Sequence, residues 1–368
     1  MHTLSLSSQS RAVDSESTGP TQCFAADNPA RGNLHYTSGD APVHLTPFDL
    51  QTPAILHLPS ENPALPSPTV TILEADNLPA LAGLPDSSVD LIYVDPPFNT
   101  GVTQRRTRIR TVRDAAGDRT GFGGQRYRTE KLASEPVYAD IFDDYIGFLR
   151  PRMAEAHRVL KPTGSLFLHL DPREVHYGKI MLDEVFALRG GAGRRCFQNE
   201  IIWAYDYGAR PSRRWPAKHD NILWYTRNPD RYTFHLDASD RIPYMAPGLV
   251  GAEKAARGKT PTDVWWHTIV SPTGKEKTGY PTQKPLGILE RIVRVHSNPG
   301  DTVLDFFAGS GTAGVAALRN GRHAILIDQS PAACDLMRKR CAEAAMGAAA
   351  SSLEKGHRRR KHDSPAQG

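Results

Sequence analysis

Two short clusters in this sequence combine side chains that can do chemistry. In the first, Asp95-Pro96-Pro97-Phe98-Asn99 follows the apolar run Val89-Asp90-Leu91-Ile92-Tyr93-Val94. The run reads as a buried strand, so Asp95 stands at its carboxyl end, where open α/β sheets collect ligands. Pro96 and Pro97 fix their own φ angles and remove two amide donors. What remains is a carboxylate, rigidly aimed carbonyls and the ring of Phe98. That set accepts hydrogen bonds from an NH₂ group and stacks against a flat partner.

The second cluster lies within residues 302–328, TVLDFFAGSGTAGVAALRNGRHAILID. A strand ends at Asp305, the loop glycines Gly309 and Gly311 let backbone approach a ligand, and Gly314 lies in the helix that follows. Gly321 closes that helix, and a second strand ends at Asp328. An acid at that tip suits ribose hydroxyls. The spacing matches the dinucleotide pattern G-x-G-x-x-G, so a nicotinamide dehydrogenase has to be weighed. Only 40 residues follow Asp328, too few for the further strands of a dinucleotide fold. The missing strands must come from earlier in the chain, which makes the order circularly permuted. The strand at 69–73 then lies beside the late unit, and Asp76 joins Asp95 and Asp328 at one sheet rim.

The elements that must hold these clusters are legible from about residue 68. A strand at 69–73, a short helix at 77–82 and the strand ending at Asp95 come first. Residues 101–136 read as a long Arg/Gly-rich loop. A helix begun or interrupted at Pro151, the strand SLFLHLD and an amphipathic helix from Pro172 follow. NEIIWAYDY and HDNILWYTR read as an antiparallel pair. Residues 228–279 form a small insert, and KPLGILERIVRVHS is a helix. Residues 1–66 are Ser-, Thr- and Pro-rich and read as a largely disordered extension, and 346–368 as a basic disordered tail. No internal repeat is present.

Composition narrows the class. The 368 residues carry 45 Lys and Arg against 40 Asp and Glu, a net charge of +5. The excess is concentrated: residues 101–131 hold nine basic side chains against three acids. Arg105, Arg106, Arg108, Arg110, Arg126 and Arg128 therefore read as contacts to a polyanion directly after the Asp95 site. No apolar stretch has membrane-spanning length, and no secretory signal opens the chain. The four cysteines make neither a CxxC pair nor a zinc spacing, which fits a reduced cytoplasm and a metal-free site. His169, His219 and His267 are isolated and read as structural, as do Trp265 and Trp266.

Taken together, DPPF at 95–98, DFFAGSGT at 305–312, Asp328 after a strand, EAD at 74–76 and TQKP at 282–285 resemble the DNA amino-methyltransferases that use S-adenosylmethionine. The match is to the permuted group, in which the catalytic motif comes first and the cofactor loop last. It covers about residues 68–340, and DPPFNTG is also similar to the modification subunits of type III restriction systems. The resemblance implies a Rossmann-like, doubly wound α/β fold. Its sheet would be mostly parallel, with seven strands and an antiparallel edge hairpin. Residues 67–227 and 280–345 would be its catalytic and cofactor-binding halves, and 228–279 its target-recognition insert.

The resemblance also implies roles. Asp95 and the carbonyl of Pro96 accept the two N–H bonds of an exocyclic amine, with Pro97 stiffening the turn. Phe98 stacks on a base flipped out of double-stranded DNA. Asp305, Phe307, Gly309, Gly311 and Thr312 line the cofactor loop, Asp328 takes the ribose hydroxyls and Asp76 the adenine side. Gln283, Lys284 and Pro285 take the methionine portion. Asp at the first motif position leans toward adenine N6 over cytosine N4, and permuted members lean toward homodimers. A restriction endonuclease partner is left open. Each residue has a structural alternative: Asp95 a turn starter, Asp328 and Asp76 helix caps, Phe307 core, Lys284-Pro285 a helix start. An RNA or protein-glutamine methyltransferase, and a binding protein without chemistry, are the competing classes; the Asp at 95 and the late glycine loop weigh against the former, the intact set of acids against the latter.

Overall fold

A computed structural model describes residues 54–57, 68–117, 119–120, 124–188, 193–208, 211–271 and 274–362. The strands are β1 (Ala54–His57), β2 (Thr69–Glu74), β3 (Val89–Val94), β4 (Val102–Arg113), β5 (Arg119–Thr120), β6 (Arg126–Asp140), β7 (Leu160–Leu170), β8 (Phe197–Ala204), β9 (His219–Thr226), β10 (Val264–Trp266), β11 (Thr302–Asp305) and β12 (His323–Asp328). The helices are α1 (Asn77–Ala82), α2 (Tyr145–Val159), α3 (Val175–Leu188), α4 (Ala252–Arg257), α5 (Leu286–His296), α6 (Thr312–Arg319) and α7 (Pro331–His362).

Nine strands form one sheet in the order β1-β2-β12-β11-β3-β7-β9-β8-β10. β2, β12, β11, β3 and β7 run parallel, and β9 is antiparallel to both β7 and β8. The Rossmann-like, permuted reading therefore holds, with two additions to the seven expected strands. β1 adds antiparallel to β2 at one edge, and β10 adds parallel to β8 at the other. The β8/β9 pair is consequently not the sheet edge. Within the 1–66 extension, only β1 falls among the described residues.

The apolar pattern explains the layering. Every residue of β3 is buried, as expected for a parallel strand covered on both faces. Leu91 and Tyr93 point to the side packed by α5, α6 and α7, where Ile288, Ile292, Val315 and Met337 are buried. Ile92 and Val94 point to the other side, against Leu149, Met153 and Phe186 of α2 and α3. α2 runs uninterrupted through Pro151, anchored by the buried Leu149 and Met153 on either side.

Two expectations need correction. Residues 101–136 are not a loop: β4 and β6 pair over their whole length as an antiparallel ribbon, from Val102↔Asp140 to Arg113↔Tyr127. The alternation Thr107-Arg108-Ile109-Arg110-Thr111 is a strand pattern with β-branched residues at every second position, and the arginine count obscured it. The basic tail is not disordered up to His362, because α7 continues that far. Its Ala, Leu, Glu, Lys and Arg content is that of strong helix formers. Residues 363–368 lie outside the described residues.

The order reverses at β11/β3: β11 leads through α6 outward to β12, while β3 leads through α2 the other way to β7. Ligands bind at such a switch point, outside the strands' carboxyl ends. A buried carboxylate clamps this junction. Asp90 of β3 accepts from Lys161 Nζ of β7 at 2.8 Å and from the Thr302 backbone N–H of β11 at 2.9 Å. Asp90→Ala should leave that N–H without its carboxylate and cost about 2–3 kcal/mol. Urea denaturation of the variant beside wild type checks it; an unchanged midpoint would show the clamp carries no load.

Candidate active site

Register places the acids at one rim. Val303 and Leu304 pair with Leu91 and Ile92, so Asp305 stands level with the end of β3, just below Asp95. Asp328 pairs with Glu74, two residues before Asp76. A single cavity of about 290 Å³ is lined by Asp76, Asp95, Asp305, Phe307, Gly309 and Asp328 together. The segments carrying the two sequence clusters therefore meet.

The turn after β3 is pinned so that Asp95 cannot drift. Asn99 sits in the left-handed region at φ 53°, which Asn tolerates better than most residues. Its backbone N–H donates to Asp140 Oδ1 at 2.6 Å, its amide donates to Glu174 at 3.1 Å, and its amide oxygen accepts from the Phe142 N–H at 3.1 Å. The amide after Asp-Pro-Pro-Phe is thus a staple to the end of β6 and to the turn that precedes α3. Pro96 is buried behind the turn, while Pro97 lines the cavity.

Asp95 stands in a buried charge network. Its Oδ1 lies 3.0 Å from Lys284 Nζ, which lies 3.9 Å from Asp220 Oδ2. Asp220 also contacts His169 Nε2 at 3.1 Å and accepts from the Tyr205 hydroxyl at 3.0 Å. His169 Nδ1 meets the Tyr93 hydroxyl at 2.7 Å. His169 thus bridges Tyr93 and Asp220 through its two ring nitrogens. Burial raises the Asp95 carboxyl above its usual range, against the pull of Lys284 and His169. Asp220 shares the same burial, yet the His169 hydrogen bond and the Lys284 charge hold it at about 2. One carboxylate is thus firmly ionised and the other poised closer to protonation. Phe98 does not line the cavity; its ring lies beside it, 5.9 Å from His169 and 4.5 Å from Lys284 Nζ.

The other end of the cavity is a backbone cradle. Gly309 (φ 47°) donates its N–H to Asp328 Oδ2 at 2.9 Å, and a Cβ on Gly309 would meet the Tyr280 ring at 2.9 Å. Gly311 caps α6 in the left-handed conformation at φ 74°. Asp328 also accepts from the Ser330 N–H at 2.9 Å, and burial raises its pKa despite both bonds. Asp305 is buried, holds the Phe307 N–H at 3.0 Å, and is pushed well above the usual carboxyl range. Asp76 caps α1 through the Leu78 N–H, and its other oxygen lies 3.7 Å from Arg152. A tight glycine turn, a half-shielded acid at a strand tip and flanking aromatic rings fit a nucleoside bearing an amino-acid arm.

Some expected site residues do less than their motif suggested. Gln283 lines the cavity, but its amide is engaged by the Thr278 N–H, the Thr278 hydroxyl and the Glu276 carbonyl. Pro285 caps α5 and does not line the cavity, nor does Gly311. The Lys284 ammonium reaches Asp95 instead. Thr312 lines the cavity and donates to the Lys284 carbonyl at 3.3 Å, joining the two motifs. Arg126 and Arg128 are exposed on β6, with Arg128 3.2 Å from Glu130 and 3.5 Å from Asp114. The side chains of Arg105, Arg106, Arg108 and Arg110 are outside the described residues, although their backbone belongs to β4.

Other residues were missed from sequence. His169, expected to be structural, bridges Tyr93 and Asp220 inside the site. Tyr138 and Tyr280 line the cavity, Asp220 stands behind Lys284 at 3.9 Å, and Arg152 lies against Asp76 and over the Phe148 ring at 3.9 Å. The available signal was position: His169 is the penultimate residue of β7, next to β3, and Asp220 the second residue of β9, next to β7.

Comparison with known proteins shows the family. The family described as DNA methylase, covering the N6 and N4 amino-methyltransferases, matches residues 89–339. The type II methyltransferase M.HpaI of Haemophilus parainfluenzae is 30% identical over 249 residues, 68% of this chain and 67% of its own length. The DNA adenine methyltransferase YhdJ of Escherichia coli strain K12 is 29% identical over 70% of this chain and 78% of its own. M.BglII of Bacillus subtilis is 29% identical over 73% of this chain and 67% of its own. No described helix is long and apolar enough to cross a membrane. This chain belongs to the N6/N4 DNA methylase family and takes its methyl group from S-adenosylmethionine.

Proposed function

We propose that the protein methylates the N6 amine of an adenine flipped out of double-stranded DNA. The observation that carries this is the shared cavity: Asp95 of the Asp-Pro-Pro-Phe turn and the Gly309–Asp328 cradle line one space. The Asp at position 95 and the adenine activity named for YhdJ favour adenine; cytosine N4 is the second reading, because the family includes both amines.

S-adenosylmethionine supplies a methyl group on a positively charged sulfur. The rest of the chemistry falls to this chain. Asp328 holds the ribose hydroxyls, Asp76 with Arg152 borders the adenine end, and Phe307 covers a face. An exocyclic amine is a poor nucleophile because its lone pair is delocalised into the ring. Asp95 and the Pro96 carbonyl accept its two N–H bonds, which draws the nitrogen toward tetrahedral geometry and aims the pair along the transfer line. As the N–C bond forms, the S–C pair returns to sulfur and the amine sheds one proton. Asp95, whose carboxyl burial raises above its usual range, is the adjacent acceptor. No covalent enzyme intermediate is required, so the buried Cys196, Cys334 and Cys341 have no part in it.

DNA approaches the rim from two sides. The β4/β6 ribbon rises from the turn after Phe98, and Tyr138 at its base contacts Thr282 at 3.3 Å. On the other side, the stem after β8 is closed by Lys218, which donates to the Tyr207 and Gly208 carbonyls. Beyond it Arg213 and Arg214 are exposed, and the Trp215 side chain is 94% exposed. A solvated indole beside two arginines suits phosphate contact plus insertion into the gap a flipped base leaves.

Expression in a methylation-free host, digestion of its DNA to nucleosides and mass spectrometry should reveal N6-methyladenine. N4-methylcytosine would install the second reading, and neither product would refute both. Asp95→Ala should abolish the product while donor binding by calorimetry stays within a few-fold. Trp215→Ala should slow methylation of a matched duplex ~10-fold or more, and much less when the target base is mismatched and already loose. Equal slowing on both duplexes would exclude insertion. Arg213→Ala should reduce the salt slope of DNA binding by about one.

A further inference from the structure

Lys284, expected at the cofactor's amino-acid arm, lines the shared cavity and turns its ammonium to the Asp-Pro-Pro-Phe turn. It sits 3.0 Å from Asp95 Oδ1 and 4.5 Å from the centre of the Phe98 ring. Those are the two groups that a flipped base would need, one for its amine and one for its face. The lysine ammonium, a hydrogen-bond donor of similar size to the NH₂ group, therefore stands in the amine's seat. A second carboxylate, Asp220, waits 3.9 Å away. It is fixed from behind by His169 and Tyr205, so it can receive the ammonium without moving. The Lys284 backbone is held as well, between the braced Gln283 and the cap of α5, with Thr312 on its carbonyl. Only the side chain is left to swing.

We propose that Lys284 is a resident counter-ion that keeps the amine seat charged and formed in the empty enzyme and passes to Asp220 when the target base enters. The idea rests on the reading that Asp95 and Phe98 grip the base. A buried carboxylate alone would take up a proton and lose its acceptor lone pairs. The lysine beside it opposes that uptake and favours the ionised form that the amine needs. Transfer to Asp220 then removes a competing donor without exporting a charge from the site. Lys284 acts through Asp95 and is a positioning residue.

Among the influences on Asp95, burial raises its pKa most, Lys284 from the segment before α5 and His169 from β7 lower it, and Asp220 from β9 raises it. Tyr93 from β3, Asp305 from β11, Tyr138 from β6, Tyr145 from α2 and Tyr280 also lie within its field. Lys284 is the largest opposing influence on Asp95.

The test is the pH profile of methyl transfer to duplex DNA. Activity needs the ionised carboxylate, so it falls as pH drops through the Asp95 pKa. Lys284→Met and Lys284→Gln should move that acid limb upward by about 1–3 pH units, whereas Lys284→Arg should leave it near the wild-type position. Asp220→Asn, which removes the second seat and a charge that raises the Asp95 pKa, should raise KM for DNA on the order of tenfold and shift the acid limb downward, opposite to the Lys284→Met and Lys284→Gln variants. In the Lys284→Met/Asp220→Asn double variant that KM penalty should disappear, because no ammonium is left to displace. Acid limbs coincident with wild type in the folded Lys284 variants, or a KM penalty that persists in the double variant, overturn the proposal. Loss of methyl transfer by wild type itself would instead overturn the DNA-methylation reading, so the two failures are distinct.

Discussion

The parallel pairing of β11 with β3 is the constraint on which the site depends. It joins segments 212 positions apart, as measured between Asp90 and Thr302. Once these strands are in register, the loops that leave their carboxyl ends must diverge, because the connections wind in opposite directions. The gap between the two diverging loops is the cavity. The Asp90 clamp makes the junction selective, since its carboxylate is satisfied only when Lys161 of β7 and the Thr302 N–H of β11 both arrive. A register slip of one residue would turn Tyr93 away from His169 and send Asp305 out of the rim.

Charge is the second organising feature. Asp95, Asp220, Asp305 and Asp328 converge on a small, largely buried volume, with Lys284 inside it. Four like charges there would repel strongly in a poorly solvated setting. The structure separates their states. Asp220 is held ionised by His169, Tyr205 and Lys284, whereas Asp305 and Asp328 are pushed upward by burial. Asp95 is raised by burial too, with the Lys284 cation beside it opposing the shift. The incoming sulfonium suits this field, because a positive methyl donor relieves the repulsion among the acids.

Much of this was legible in the sequence because each cluster sits where a hydrophobic run ends. Val89–Val94 and the strand before the glycine loop announce their own carboxyl ends, so Asp95, Asp305 and Asp328 could be placed before any coordinates. Permuted order followed from counting what remained after Asp328. The ribbon was harder. Its arginines hid a period of two, and strand pairing over that length is a nonlocal property of β4 and β6 jointly. The roles of His169 and Asp220 were illegible for a related reason. Each is an ordinary polar residue at a strand end, and only the strand order β3-β7-β9 makes them neighbours of Asp95. The contact of Lys284 with Asp95 was not legible because a motif gives a backbone location, whereas a long side chain chooses among the charges within its reach.

The most direct measurement of the central claim uses an analogue in which an adenine N6 is covalently joined to the adenosyl-amino-acid moiety. Calorimetry would compare its binding to wild type, Asp95→Asn and Asp328→Asn. If the turn and the glycine cradle face one space, both variants should weaken the same compound about tenfold or more. Weakening by Asp328→Asn with Asp95→Asn indistinguishable from wild type would contradict the account, since the acid of the Asp-Pro-Pro-Phe turn would then not hold the amine.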